Sequence, residues 1–234
     1  MTTAVHSTTT DFGPITVSQT SGGQLIIHKM ASRLWLPMLV MGVMALAIAA
    51  GLGIAQAQVG SDLGAEFTAL RKANFETLQP LTAGFLFLGE ALLLSGIAFL
   101  LGTILGALRS GGGEVQESVG AQVKTLQMPW SAKVFLVLMM AGLMLELVAF
   151  GTLAFVASQA HGAWIGATAV DAPGNINALN RATAYAAWAN PLREVALATI
   201  LTSIVFALYT ISSVLSFQFS RIRELIVGRD EGGI

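Results

Sequence analysis

Residues 134–158 read VFLVLMMAGLMLELVAFGTLAFVAS, an apolar run interrupted by one ionisable group, Glu146. A hydrocarbon core about 30 Å thick needs roughly 20 apolar residues in helical form. With no water available, a spanning backbone must satisfy its own polar groups, which an α-helix does. Working outward from this run, three others of similar character appear at 34–58, 81–108 and 195–217. The second of them also carries a lone acid, Glu90. The fold class expected is therefore an all-α integral membrane protein with four transmembrane helices. Short connections favour an up-down-up-down bundle.

Composition agrees. The chain is 54% hydrophobic and 11% charged, against roughly 25% charged for a soluble domain. A net charge of −1 argues against nucleic acid, which needs a clustered basic surface. The absence of cysteine from the sequence removes disulfides, thiolate metal sites and cysteine nucleophiles. Ala55-Gln56-Ala57 resembles a cleavage pattern. The apolar stretch before it exceeds a signal-peptide core and follows a long polar lead, so an uncleaved anchor is expected.

The expected organisation is a flexible N-terminal tail with an amphipathic lead-in (1–33), the transmembrane domain (34–217) and a cytoplasmic C-terminal tail (218–234). The tail is rich in Thr, Ser and Gly, as in Thr8-Thr9-Thr10 and Ser21-Gly22-Gly23, and such composition buries too little surface to order itself. Lys29, Arg33, Arg109, Lys124, Lys133, Arg221, Arg223 and Arg229 lie in the termini and middle loop, against Arg71, Lys72, Arg181 and Arg193 in the other two. The positive-inside rule then places both termini in the cytoplasm, at the inner or plasma membrane if the chain is bacterial. Ser61 to Pro80 and Ala178 to Trp188 read as short interfacial helices in the outer loops, the first closed by Pro80. Trp164, Tyr185 and Trp188 suit the headgroup region. Ser110-Gly111-Gly112-Gly113 reads as a linker ending the second span.

Small residues at helical spacing mark packing faces: Ala45, Ala49 and Gly53 in the first span, Gly102 and Gly106 in the second, Gly142 in the third. They let helix backbones approach closely. Glu146, with Gly142 and Ala149 beside it, should face protein, either protonated or hydrogen-bonded. Counting in from the membrane edges puts Thr202 or Ser203 near its depth, with Tyr209 on the same polar stripe. Glu90 instead shares its face with Ala83, Leu86, Leu94, Ile97 and Leu101. It is expected about 6 Å to the outer side of Glu146, near it or pointing at another subunit.

The methionine clusters Met38, Met41, Met44 and Met139, Met140, Met144 suit gap-filling far better than copper. No histidine lies within a span, so the chain holds no bis-histidine haem of its own. His161 reads as a solvated rim residue. No phosphate loop, catalytic triad or zinc motif is present. No catalytic residue, metal or cofactor is therefore expected. The function expected is a non-catalytic integral membrane subunit that packs against and stabilises a larger membrane complex, with the lipid bilayer and other integral subunits as partners. An oxidoreductase or monooxygenase assembly with its metals in other chains is one such complex. The alternative is a small homo-oligomeric proton- or cation-coupled carrier or channel using Glu90 and Glu146. A weaker alternative is a lipid- or quinone-binding module.

Overall fold

Four helices long and apolar enough to cross a membrane make up most of the chain. The structure is a computed structural model and describes residues 6–10, 13–18, 26–126 and 129–230. In chain order the elements are β1 (His6–Thr10), β2 (Gly13–Ser18), α1 (Ile26–Ala65), α2 (Ala69–Ser118), β3 (Val123–Leu126), α3 (Trp130–Trp164) and α4 (Ile176–Asp230).

The helices overrun the apolar segments at both ends. Neither expected interfacial helix is a separate element. Residues 61–80 are divided between the end of α1 and the start of α2, and Ala178 to Trp188 belongs to α4. Pro80 and Pro191 lie inside α2 and α4 rather than at their ends. Each proline removes one backbone bond, leaving the carbonyls of Glu76 and Ala187 without that partner, a loss tolerated when packing holds the flanking turns. Thr68 caps α2 by accepting from the Arg71 N–H at 3.2 Å, and Asn175 caps α4 by accepting from the Ala178 N–H at 3.2 Å.

The Gly111–Gly113 run is also helical, against its reading as a linker. Gly112 abuts the Gln218 side chain, where a Cβ has no room. The chain leaves α2 and α3 through Gly120 and Gly166, both with positive φ, the left-handed conformation that glycine adopts without steric cost.

Two stretches of the segment expected to be a flexible tail are paired strands. β1 and β2 form an antiparallel hairpin, and β2 pairs antiparallel with β3 from the middle connection, in the order β1-β2-β3. The β-branched content of Thr8-Thr9-Thr10 and Ile15-Thr16-Val17 favours this conformation. On the far edge of β3 the Gln116 side chain takes the place of a fourth strand. Its Oε1 accepts from the Lys124 N–H at 2.8 Å and its Nε2 donates to the Lys124 carbonyl at 3.1 Å. Ser21-Gly22-Gly23 and the last four residues of the C-terminal tail lie outside the described residues.

Two compact units are present, and each of the four helices contributes to both. One comprises Met1–Trp35, Ile97–Met139 and Thr202–Ile234; the other comprises Leu36–Gly96 and Met140–Leu201. In the first, Ala98, Phe135, Met139 and Ala207 form a buried cluster, and Trp130 meets Phe206 edge to face at 5.7 Å. In the second, Gly42 packs on Leu93, Gly53 on Thr82 and Gly60 on Phe75, the descending order of helices running in opposite senses. Phe85 meets Phe150 edge to face at 5.2 Å and Phe155 meets Tyr185 at 4.9 Å, joining α2 to α3 and α3 to α4. Alanines dominate the buried positions, so the helices approach closely and gain dispersion contacts that lipid cannot supply.

Candidate functional site

Glu146 sits on α3 with 1% of its surface exposed. One turn earlier Gly142 admits Ile200 of α4 so closely that a Cβ would lie 2.5 Å from Ile200 Cγ1. Neither carboxylate oxygen of Glu146 has a hydrogen-bond partner among the described residues. The buried hydroxyls of Ser95 and Thr82 also lack one. Thr202 is exposed, Ser203 is buried, and Tyr209 is 60% exposed. Counting from run edges fixes height along a helix and leaves azimuth open.

A further buried hydroxyl on α4 is that of Thr210, which was not among the expected site residues. Its Oγ1 lies 2.7 Å from the Phe206 carbonyl and 2.8 Å from Ser131 Oγ. Its single proton can serve only one of them. With the carbonyl as acceptor, Ser131 donates to Thr210 and α3 is tied to α4. In the sequence Thr210 stands between Tyr209 and Ile211, and the polar stripe runs through Tyr209 instead.

Glu90 behaves oppositely. It is exposed on α2, in line with Leu86, itself 45% exposed. It has no ion pair or hydrogen bond among the described residues. Next to it, Gly89 faces α1, where a Cβ would lie 3.0 Å from the Gly42 carbonyl oxygen and 2.6 Å from Leu46 Cγ. This crossing is tighter than those at the glycines singled out by spacing in the same two spans. At Gly53 the nearest atom to a Cβ is Thr82 Cγ2 at 3.8 Å, and at Gly102 it is Ala31 Cβ at 3.5 Å. Ala45, Ala49 and Gly106 are buried.

Toward the start of α2 the same unit opens into a groove of about 250 Å³. Ala83, Leu153, Val156, Ala160, Ala182 and Ala186 give it apolar walls, with Glu76, Gln79, Thr183 and Asn190 among its polar lining. The Glu76 carboxylate is paired with Lys72 at 2.7 Å. Lys72 also stands over the Trp164 ring at 4.8 Å, so its charge is shared between an acid and a π-face. Gln79 and Asn190 are exposed and keep their carboxamides free of partners among the described residues.

His161 is half-buried rather than a solvated rim residue. Its Nδ1 lies 3.3 Å from Thr77 Oγ1, while that hydroxyl is 2.6 Å from the Ala73 carbonyl. The hydroxyl proton goes to the carbonyl, so the imidazole donates through Nδ1 and Nε2 is left to other partners.

Two acids thus occupy opposite settings: Glu146 is sealed among close-packed helices, and Glu90 offers a carboxylate at an apolar surface. Comparison with protein-family models, with curated proteins and with solved structures gives no match.

Proposed function

We propose that this chain is a non-catalytic integral membrane subunit that packs against and stabilises a larger membrane complex. Glu90 carries the reading. A carboxylate facing hydrocarbon costs a few kcal/mol or more, and such groups normally face protein or water. Glu90 is exposed on an apolar face of this chain, so another chain covering that face removes the cost. Extraction in mild detergent should yield the chain in an assembly with other integral subunits. Glu90→Leu should weaken that association while the chain still inserts. A monodisperse monomer free of other chains, under conditions that preserve known complexes from the same membrane, would refute the proposal.

The four helices cross the bilayer in alternation, with both termini cytoplasmic. The opposite sense of α1 and α2 within the second unit and the Lys/Arg bias between connections support this reading. The chain has no cysteine, so single-cysteine variants report accessibility without background. Cysteines at Ser118 and Ser61 should react with an impermeant maleimide from opposite sides of sealed vesicles. Labelling of both from one side contradicts the topology.

A further inference from the structure

We infer that the groove between α2 and α4 seats one transmembrane helix of a partner chain, and that this helix carries a lysine or arginine reaching Glu90. The inference rests on the subunit reading and adds where the partner lies and what it must contain.

The α2 wall of the groove includes Glu76, Gln79 and Ala83. Seven residues beyond Ala83 lies Glu90. On a helix seven residues is two turns, about 10 Å along the axis and about 20° in azimuth. Glu90 therefore lies on the line of the groove, with exposed Leu86 between. A ligand entering at Gln79 and following α2 inward meets the carboxylate about 16 Å deeper.

Charge decides what that ligand is. None of 34–58, 81–108, 134–158 and 195–217 contains a Lys, Arg or His. A second copy of this chain therefore has no cation at that depth to answer Glu90. A lipid does not supply one either, because cationic headgroups sit at the interface and not two or three helical turns below it. A basic side chain on a partner's transmembrane helix does supply it. Such residues are rare in spans and usually paired, which makes a matching acid on a neighbouring chain the expected arrangement.

Shape agrees with charge. Alanines at 83, 160, 182 and 186 line the groove, and small residues allow a second helix backbone to approach closely. At the outer rim Lys72, beside the groove's acid, is already held by Glu76 and Trp164. The rim is left with the carboxamides of Gln79 and Asn190, which pair with a neutral polar side chain. The partner helix should therefore carry a polar residue at one level and a basic residue about eleven positions deeper.

The test uses the full chain in its native membrane, with a photo-crosslinking amino acid placed at Ala83 or Ala186 in the groove, or at Val40 or Met41 on the exposed face of α1. The expected result is a cross-link from the groove positions to a transmembrane segment containing Lys or Arg. Its yield should fall about tenfold or more in Glu90→Leu, in line with the loss of an interhelical polar contact. Glu90→Lys should abolish it, and acid substitution of the partner's basic residue should restore it in that background. A partner that co-purifies but cross-links only from Val40 or Met41 overturns this inference and leaves the subunit reading standing. Groove cross-links to lipid alone, or to a segment without Lys or Arg, overturn it as well. If no partner co-purifies, both fail.

Discussion

Gly89→Val is expected to destabilise the transmembrane domain by about 3 kcal/mol, at the upper end of what overpacking usually costs. The added Cβ would lie 2.6 Å from Leu46 Cγ and 3.0 Å from the Gly42 carbonyl oxygen. The leucine can rotate, but the carbonyl belongs to the helix backbone and cannot move alone. The approach is mutual, since a Cβ at Gly42 would meet the Gly89 carbonyl oxygen at 3.0 Å. Relief therefore requires α1 and α2 to separate along the crossing. A gap of about 1 Å forfeits up to half of each dispersion well it opens. No hydrophobic effect between helices compensates for that loss in lipid. The thermal midpoint in detergent should fall clearly for Gly89→Val and less for Gly89→Ala, where only a methyl must be accommodated. Gly51→Ala supplies the control, because nothing lies within 4 Å of its Cβ position. It should stay at or slightly above the wild-type midpoint, since alanine is the better helix former. Equal midpoints for all three variants would mean that α1 and α2 do not cross at these glycines.

This crossing leaves little mark in the sequence. Repeated small residues announce a packing face, as at Ala45, Ala49 and Gly53. Gly42 stands between Met41 and Val43, and Gly89 between Leu88 and Glu90, so neither belongs to a visible repeat. Length and hydropathy were enough to find four spans. They were not enough to find where the helices end, because an apolar run stops at the membrane edge and a helix need not. Pro80, Pro191 and Gly111–Gly113 look like breakers, yet each lies within a helix whose neighbours continue to pack. Azimuth was readable only in part. A helix apolar on all sides gives no moment, but the size of neighbouring residues separated Glu146, beside Gly142 and Ala149, from Glu90 among leucines. The strand at Val123–Leu126 was illegible because its pairing partners lie over 100 residues away, in a tail whose composition reads as unstructured.

Glu146→Met is expected to stabilise the protein by about 2 kcal/mol, whereas Glu146→Gln should leave it nearly unchanged. Both carboxylate oxygens are buried without a hydrogen bond among the described residues, and unpartnered buried polar atoms cost about 1–3 kcal/mol through lost solvation. Replacing such a group by an apolar one of similar volume is often neutral or stabilising. Methionine adapts to irregular space, so it removes the unsatisfied atoms without demanding a new cavity shape. Glutamine keeps two polar atoms in the same setting and inherits most of their cost. The order of thermal midpoints, methionine above glutamine and wild type, is therefore the informative quantity. The carrier alternative makes a different demand on these proteins. If Glu146 binds a transported proton or cation, Glu146→Met abolishes flux in reconstituted vesicles even as it raises the midpoint, the trade-off expected where a strained group serves function. If Glu146 serves packing alone, the assembly keeps its composition and its activity when the methionine is present. A methionine variant that melts well below wild type would show that the carboxylate is satisfied in the assembled protein, by a partner or by water, and would remove the physical basis for both expectations.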